Sequence, residues 1–196
     1  KDNVKYSGLT YYTTNLAAIV TQLEKDGIVF SKKPGEADPI KRYYFNSPDG
    51  LSIMLADNLG GFSQPKGISL LNMNPADFKT AEKYPNKQCG VFGEYCHPVK
   101  DLDKSIAFWK KLGFTVKSKM DQPYPHAILS DDLMIIGLHQ TSNFDYPAIT
   151  YFGIQTAERV NLLRKKGLSF TNMQGAANVV TTGWEGQHFF LFSLGM

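Results

Sequence analysis

The stretch Leu9-Thr-Tyr-Tyr-Thr-Thr-Asn-Leu-Ala-Ala-Ile-Val-Thr-Gln-Leu-Glu-Lys-Asp-Gly-Ile-Val-Phe30 returns, without a gap, 140 residues later as Ile149–Phe170. Thr10, Tyr11, Ala17, Val20, Leu23, Lys25, Gly27 and Phe30 are identical to Thr150, Tyr151, Ala157, Val160, Leu163, Lys165, Gly167 and Phe170. Leu9, Tyr12 and Ile28 keep their character at Ile149, Phe152 and Leu168. Eight identities in 22 positions exceed chance, so the chain is read as holding one unit twice. After a slip of four residues the match resumes, with Gly50–Leu55 facing Gly186–Leu191.

Each copy opens on a β-branched and aromatic run, Leu9–Thr13 or Ile149–Ile154, that suits a pleated strand. A helix follows: Asn15 stands where an N-cap belongs, Leu16, Ile19, Val20 and Leu23 recur on one face, and Gly27 is placed to end it. Arg42–Phe45, the turn Ser47-Pro-Asp-Gly50 and Leu51–Ala56 then predict a hairpin. A third unit of the same order lies between the two. Phe92–Val99 reads as a strand, and Asp101 caps a helix with Leu102, Ile106, Trp109 and Leu112 on one face. Phe114–Met120, His126–Ser130 and Leu133–His139 supply further strands around an Asp131-Asp132 turn. The fold class is therefore α+β, with repeated βαβββ units near 1–57, 88–141 and 142–196. Residues 58–87, rich in Gly, Pro, Asn and Lys, read as a linker with one short helix at Pro75–Lys83.

Composition sets the outer limits. The 196 residues are 42% apolar and 20% charged, enough for a core that needs no disulfides. The 21 Lys and Arg are interleaved with 18 Asp and Glu, so no basic stripe points to nucleic acid. The longest apolar runs, Leu133–Leu138 and Phe189–Leu194, fall short of the roughly 18 residues a membrane helix needs, and no membrane partner is expected. Cys89 and Cys96 read as free thiols of a reducing, cytoplasmic setting. The opening Lys-Asp-Asn reads as a cut or processed end. No phosphate-binding glycine loop, Cys-x-x-Cys pair or nucleophile elbow is present.

The segment Pro98-Val-Lys-Asp-Leu-Asp-Lys-Ser-Ile-Ala-Phe-Trp-Lys-Lys-Leu-Gly-Phe114 resembles the opening of vicinal oxygen chelate proteins. These are the superfamily of glyoxalase I, bleomycin and fosfomycin resistance proteins and extradiol dioxygenases. The hairpin Phe45–Leu55 is similar to that superfamily's usual ending. The resemblance implies that two units pair into one glyoxalase-like domain, each rolling a curved sheet around a shared cavity. Residues 88–196 would then form a complete domain, and 1–57 a second-half unit whose partner lies upstream or on another chain, as in a homodimer.

The resemblance also implies metal ligands on the first and last strands of each unit. Eight residues before the helix-start positions Leu102, Leu16 and Thr156 stand Glu94, Gly8 and Ala148. Four residues after the turn glycines stand Met54 and Phe190, and the matching place in the middle unit falls near Ile136. Of these only Glu94 can ligate a divalent ion, so the usual metal site is read as absent and no cofactor is expected. The alternative is a rearranged divalent-metal site of Glu94, His126 and His188, reached because Glu94, Cys96 and Pro98, then Ala148, Thr150 and Phe152, then His188, Phe190 and Phe192 share strand faces.

A small organic molecule is accordingly the expected partner, with Glu94, Cys96, Thr150, Phe152, His188 and Phe190 as its contacts. Glu94, desolvated in an apolar cavity, would serve as a general base, or else pair with a Lys or Arg. Cys96 is a nucleophile only beside a base, and otherwise an inert buried thiol. His97 falls on the parity opposite Glu94, and His139 on that opposite Ile136, and both read as structural. Tyr12, Phe152, Phe190 and Phe192 suit either stacking on a planar ligand or plain core packing. Whether the chain is an enzyme stays open. A divergent metal-dependent lyase, isomerase or dioxygenase is the alternative to ligand binding, and a dimerising assembly role is the third reading.

Overall fold

A computed structural model of the chain describes residues 8–58, 86–172, 179–183 and 186–193. The elements run β1 (Gly8–Thr13), α1 (Leu16–Lys25), β2 (Arg42–Asn46), β3 (Ser52–Asp57), β4 (Val91–Pro98), α2 (Leu102–Lys111), β5 (Thr115–Met120), β6 (His126–Ser130), β7 (Ile135–His139), β8 (Ala148–Gly153), α3 (Thr156–Lys165), β9 (Thr171–Asn172), β10 (Val179–Thr182) and β11 (His188–Ser193). The α+β reading holds, and the middle and last units show the expected βαβββ order, whereas the first shows only two strands after its helix among the described residues. The helix expected at Pro75–Lys83, nearly all of the linker, and residues 1–7 of the first half unit lie outside the described residues.

The chain divides into two compact units. One runs through Gly67 and takes in Asp103–Phe114; the other joins Ile68–Leu102 to Thr115–Met196. In the first, a three-stranded sheet has the order β1-β3-β2. Phe45 turns its ring to Phe30 and to Phe108 of α2, and the Ser105 hydroxyl bonds the Asp49 carboxylate. Helix α2, expected with 88–141, thus groups with the N-terminal unit.

The second unit is an eight-stranded sheet of order β5-β6-β7-β4-β8-β11-β10-β9. The two copies of the repeat hold one register. Parallel β1 and β3 pair Gly8 with Ser52 and Thr10 with Met54, and parallel β8 and β11 pair Ala148 with His188 and Thr150 with Phe190, the same positions shifted by the repeat offsets. Val160 and Leu163 of α3 cover Val179 and Leu191 on one face of this sheet. Thr150 and Phe190, one residue out of phase, therefore point to the other face.

Local chemistry explains the boundaries. All three helices of the described residues end on a glycine at positive φ, Gly27 at 80°, Gly113 at 90° and Gly167 at 91°. The next residue's N–H turns back to the helix, Ile28 to the Leu23 carbonyl at 2.9 Å and Leu168 to the Leu163 carbonyl at 3.2 Å. Asn15 holds the N-cap place but its side chain makes no cap bond; its N–H instead donates to Thr13 Oγ1 at 3.1 Å. The N–H of Leu102 is capped from a distance by Gln140 Oε1 at 3.0 Å. The hairpin between β2 and β3 closes at Gly50, φ 85°, whose N–H donates to the Ser47 carbonyl. No helix of the described residues is long and apolar enough to cross a membrane.

Candidate functional site

Strand register assembles the site on the sheet face opposite α3. Antiparallel β4 and β8 set Glu94 beside Thr150 and Cys96 beside Ala148, and parallel β11 adds Phe190 and His188 to these two rows. On the other side of β4, Cys96 pairs with Gly137 and Pro98 with His139, while β6 brings His126 against His139. Glu94, Cys96, His126, His139, Thr150, His188 and Phe190 therefore share one face. Val91 pairs with Phe152 and Phe192 with Phe152, so those two phenylalanines extend the same face past a bulge at Gly93.

At its centre Glu94 Oε1 lies 2.8 Å from His139 Nε2, and the two residues are 6% and 8% exposed. Gly137 makes this possible, since a Cβ there would stand 2.0 Å from Glu94 Oε2. Cys96 completes a group whose ligand-type atoms, with those of Glu94 and His139, all lie within 4.8 Å of one another. Burial first, and then the neighbouring Glu94 carboxylate, push the Cys96 thiol well above its usual range, so it stays protonated and is a poor nucleophile. Tyr124, ring against both His126 and His139, is pushed up to about 12 by burial, with Cys96 and Glu94 adding to it. The His126 and His139 rings are parallel, 5.6 Å apart, and His126 Nδ1 meets the Tyr124 carbonyl at 2.8 Å.

The connection from β7 to β8 lies over this face. Phe144 packs with Cys96, Ala148 and Phe190, and its ring meets those of His139 at 5.8 Å and Phe190 at 5.4 Å. Tyr146 stacks on His188 at 3.7 Å, and the His188 Nδ1 meets Thr182 Oγ1 at 3.1 Å. Two polar atoms at the centre, His139 Nδ1 and Thr150 Oγ1, are buried with no hydrogen-bond partner among the described residues.

The geometry departs from the sequence expectations at several residues. The partner of Glu94 is a histidine, not a Lys or Arg. Ile136, the counted last-strand position, pairs with Tyr95 and so faces away from Glu94; His139, read as structural, is the residue that meets it. The group suited to a metal includes neither His126 nor His188. His97 does lie on the far face, opposite Leu138 and stacked on Tyr95. Cys89 and Cys96 are both free, as expected. Phe144, Tyr146 and Tyr124 join the site without any motif or spacing in the sequence that singles them out. The signals for His139 were its place as the one polar residue of an otherwise apolar strand and the Gly137 two positions before it, on the same face.

No family model matches the chain, and no curated protein matches it. Solved structures do. The 2,3-dioxygenase LapB from Pseudomonas sp. KL28 is 14% identical, with a TM-score of 0.52 over 92% of this chain and 68% of its own. The 2,2',3-trihydroxybiphenyl 1,2-dioxygenase from Sphingomonas wittichii strain RW1 is also 14% identical, with a TM-score of 0.54 over 95% of this chain and 70% of that one. The Mn(II)-bound glyoxalase from Novosphingobium aromaticivorans is 13% identical, with a TM-score of 0.51 over 94% of this chain and 62% of its own. At such identities the likeness speaks for the fold alone, and it agrees with the motif at Pro98–Phe114 and the hairpin at Phe45–Leu55: the chain has the fold of this glyoxalase and these dioxygenases.

Proposed function

We propose that this glyoxalase-like chain binds a small, partly aromatic molecule bearing adjacent oxygen groups on the Glu94 face of the eight-stranded sheet, without a resident metal. The observation that carries the reading is the pair of buried polar atoms without partners, His139 Nδ1 and Thr150 Oγ1, beside a Glu94–His139 bond of 2.8 Å. Each such orphan costs about 1–3 kcal/mol, a cost that a ligand hydroxyl or carbonyl would remove. Phe144 and Phe190 offer aromatic walls for a flat ring. Glu94, oriented by His139, is the group placed to take a proton from a bound hydroxyl. The positions where the superfamily resemblance sets further ligands hold Ala148 and Phe190, which supports binding over metal chemistry.

The metal-dependent reading, a divergent lyase, isomerase or dioxygenase, keeps one specific support: the Glu94, Cys96 and His139 atoms within 4.8 Å. Carboxylate, thiolate and imidazole form a donor set that suits zinc or iron, and metal binding would have to displace the proton that burial holds on Cys96. A bound ion would act there as a Lewis acid. The homodimer reading belongs to the same proposal and is checked by light scattering.

Catechol, the compound that one structural neighbour's name carries, is the first probe. Protein purified without affinity-tag metal and treated with chelator is expected to bind catechol by calorimetry, and Thr150→Val to weaken that binding about fivefold, one hydrogen bond's worth. Binding that appears only after zinc, iron, manganese or nickel is added, and vanishes in Glu94→Ala, would replace this reading with the metal-dependent one. Catechol binding unaffected by Thr150→Val would remove the site from this face.

A further inference from the structure

The repeat puts two different side chains at one place. Its offset lays Ile19 on Arg159 and Thr13 on Gly153. In the second unit Arg159 is 4% exposed and fills the angle between α3 and the end of β8. Its Nη1 donates to the Cys89 carbonyl at 2.7 Å, and a Cβ on Gly153 would stand 2.2 Å from its Nη2. In the first unit the shorter Ile19, together with Thr13, lines a cavity of about 450 Å3. Tyr11, Leu23, Phe45 and Ile53 give it apolar walls, and the end of α2, Lys111 to Gly113, borders it.

We infer that this cavity is a second binding site, for a small monoanionic amphiphile: an aromatic or short aliphatic body carrying one carboxylate. Its volume falls within the roughly 300–1,000 Å3 of small-molecule sites. Lys111 is the one charged residue among those lining it, and no Asp or Glu is among them. The Lys111 ammonium donates to the backbone carbonyl of Asp26 at 2.6 Å, a neutral acceptor that leaves two N–H donors for an anion. The nearby Asp26 carboxylate is bonded instead by Gln22 Nε2 at 3.1 Å. The body of the ligand lies against Phe45 and Ile53, and its carboxylate meets Lys111. The site shares no residue with the Glu94 face, so the two readings stand or fall separately.

The test is methyl NMR of the full chain titrated with decanoate, and in parallel with decanol, below their aggregation limits. Saturable shifts are expected at the Ile19, Leu23, Ile53 and Leu55 methyls, with decanoate held about tenfold more tightly than decanol by its charge-assisted bond. Lys111→Met should erase that preference while decanol still binds. Ile19→Arg, which copies the second unit, and Ile19→Trp, which fills the space should the arginine not fold, should each weaken decanoate at least tenfold. The inference is overturned by shifts confined to other methyls or absent, by a folded Ile19→Trp that binds like the parent, or by a preference for decanoate that survives Lys111→Met.

Discussion

One unit built twice shows what a backbone pattern carries and what it leaves to single side chains. β1 and β3 keep the register of β8 and β11 residue for residue. Yet the angle between helix and sheet is occupied by a buried guanidinium in one copy and lined by Ile19 around a cavity in the other. The faces beneath differ as well: Thr150 is fully buried, whereas its counterpart Thr10 is exposed. Backbone hydrogen bonding and turn glycines therefore reproduce the architecture, while single side chains decide whether a space is filled, open or polar.

The sharpest way to break the comparison is to make the second copy like the first. Arg159→Ile removes the donor held by the Cys89 carbonyl and leaves Gly153 facing empty space. Loss of a charge-assisted bond and a new cavity together should cost about 3–5 kcal/mol in urea unfolding. The reverse change, Ile19→Arg, has space but meets Thr13 where the second copy has Gly153, so the first copy does not receive a guanidinium as the second does.

Next in size is Gly137→Ala. Its Cβ would stand 2.0 Å from Glu94 Oε2, so the carboxylate must leave His139 or the strand must shift. A loss of about 1–3 kcal/mol is expected, together with a changed His139 ring signal in NMR. An equally small change at Gly186, a turn glycine with open space around it, would act only through its positive φ of 86°.

The sequence made the scaffold legible and the site only in part. Helix ends were readable because Gly27, Gly113 and Gly167 have one conformational job each. The hairpin was readable because Ser47-Pro-Asp-Gly50 suits few other shapes. Strand parity was readable on β4, where Glu94 marks the face, and unreadable on β7, whose five residues are all buried so that apolar alternation vanishes. Counting from the turn landed on Ile136 and passed over His139. Phe144 and Tyr146 sit on an irregular connection without periodicity, and nothing local announces that they cover the face.

The buried thiol of β4, which has no counterpart in either copy of the repeat, sets a response to pH. Cys96 is raised by burial and Glu94, so the folded protein holds its proton where the unfolded chain releases it. Stability is full below the unfolded thiol value, about 8.5, and falls as pH rises above it, at about 1.4 kcal/mol per pH unit for this one group. Tyr124, raised to about 12, adds a second fall that begins near pH 10. Urea unfolding from pH 8 to 10 should show the first slope, and Cys96→Ala should reduce it. A slope unchanged by that substitution would mean that the thiol is hydrated.

The smallest effect has the unusual sign. Replacing a buried threonine by valine ordinarily costs stability, because a hydroxyl that was bonded is lost. At Thr150 the hydroxyl has no partner among the described residues and the side chain is fully buried, so Thr150→Val removes a desolvation cost without breaking a bond. It should stabilise the free protein by up to about 1 kcal/mol. The same substitution at Thr10, exposed to water in the other copy, should change nothing measurable in unfolding. The pair of variants reads the site directly: a stabilised Thr150→Val that also binds catechol less well marks a hydroxyl kept for a ligand at the expense of the fold, the stability-for-function exchange expected of a binding site. A destabilised Thr150→Val would show instead that a water satisfies this hydroxyl in the free protein, and the case for a ligand there would rest on His139 Nδ1 alone.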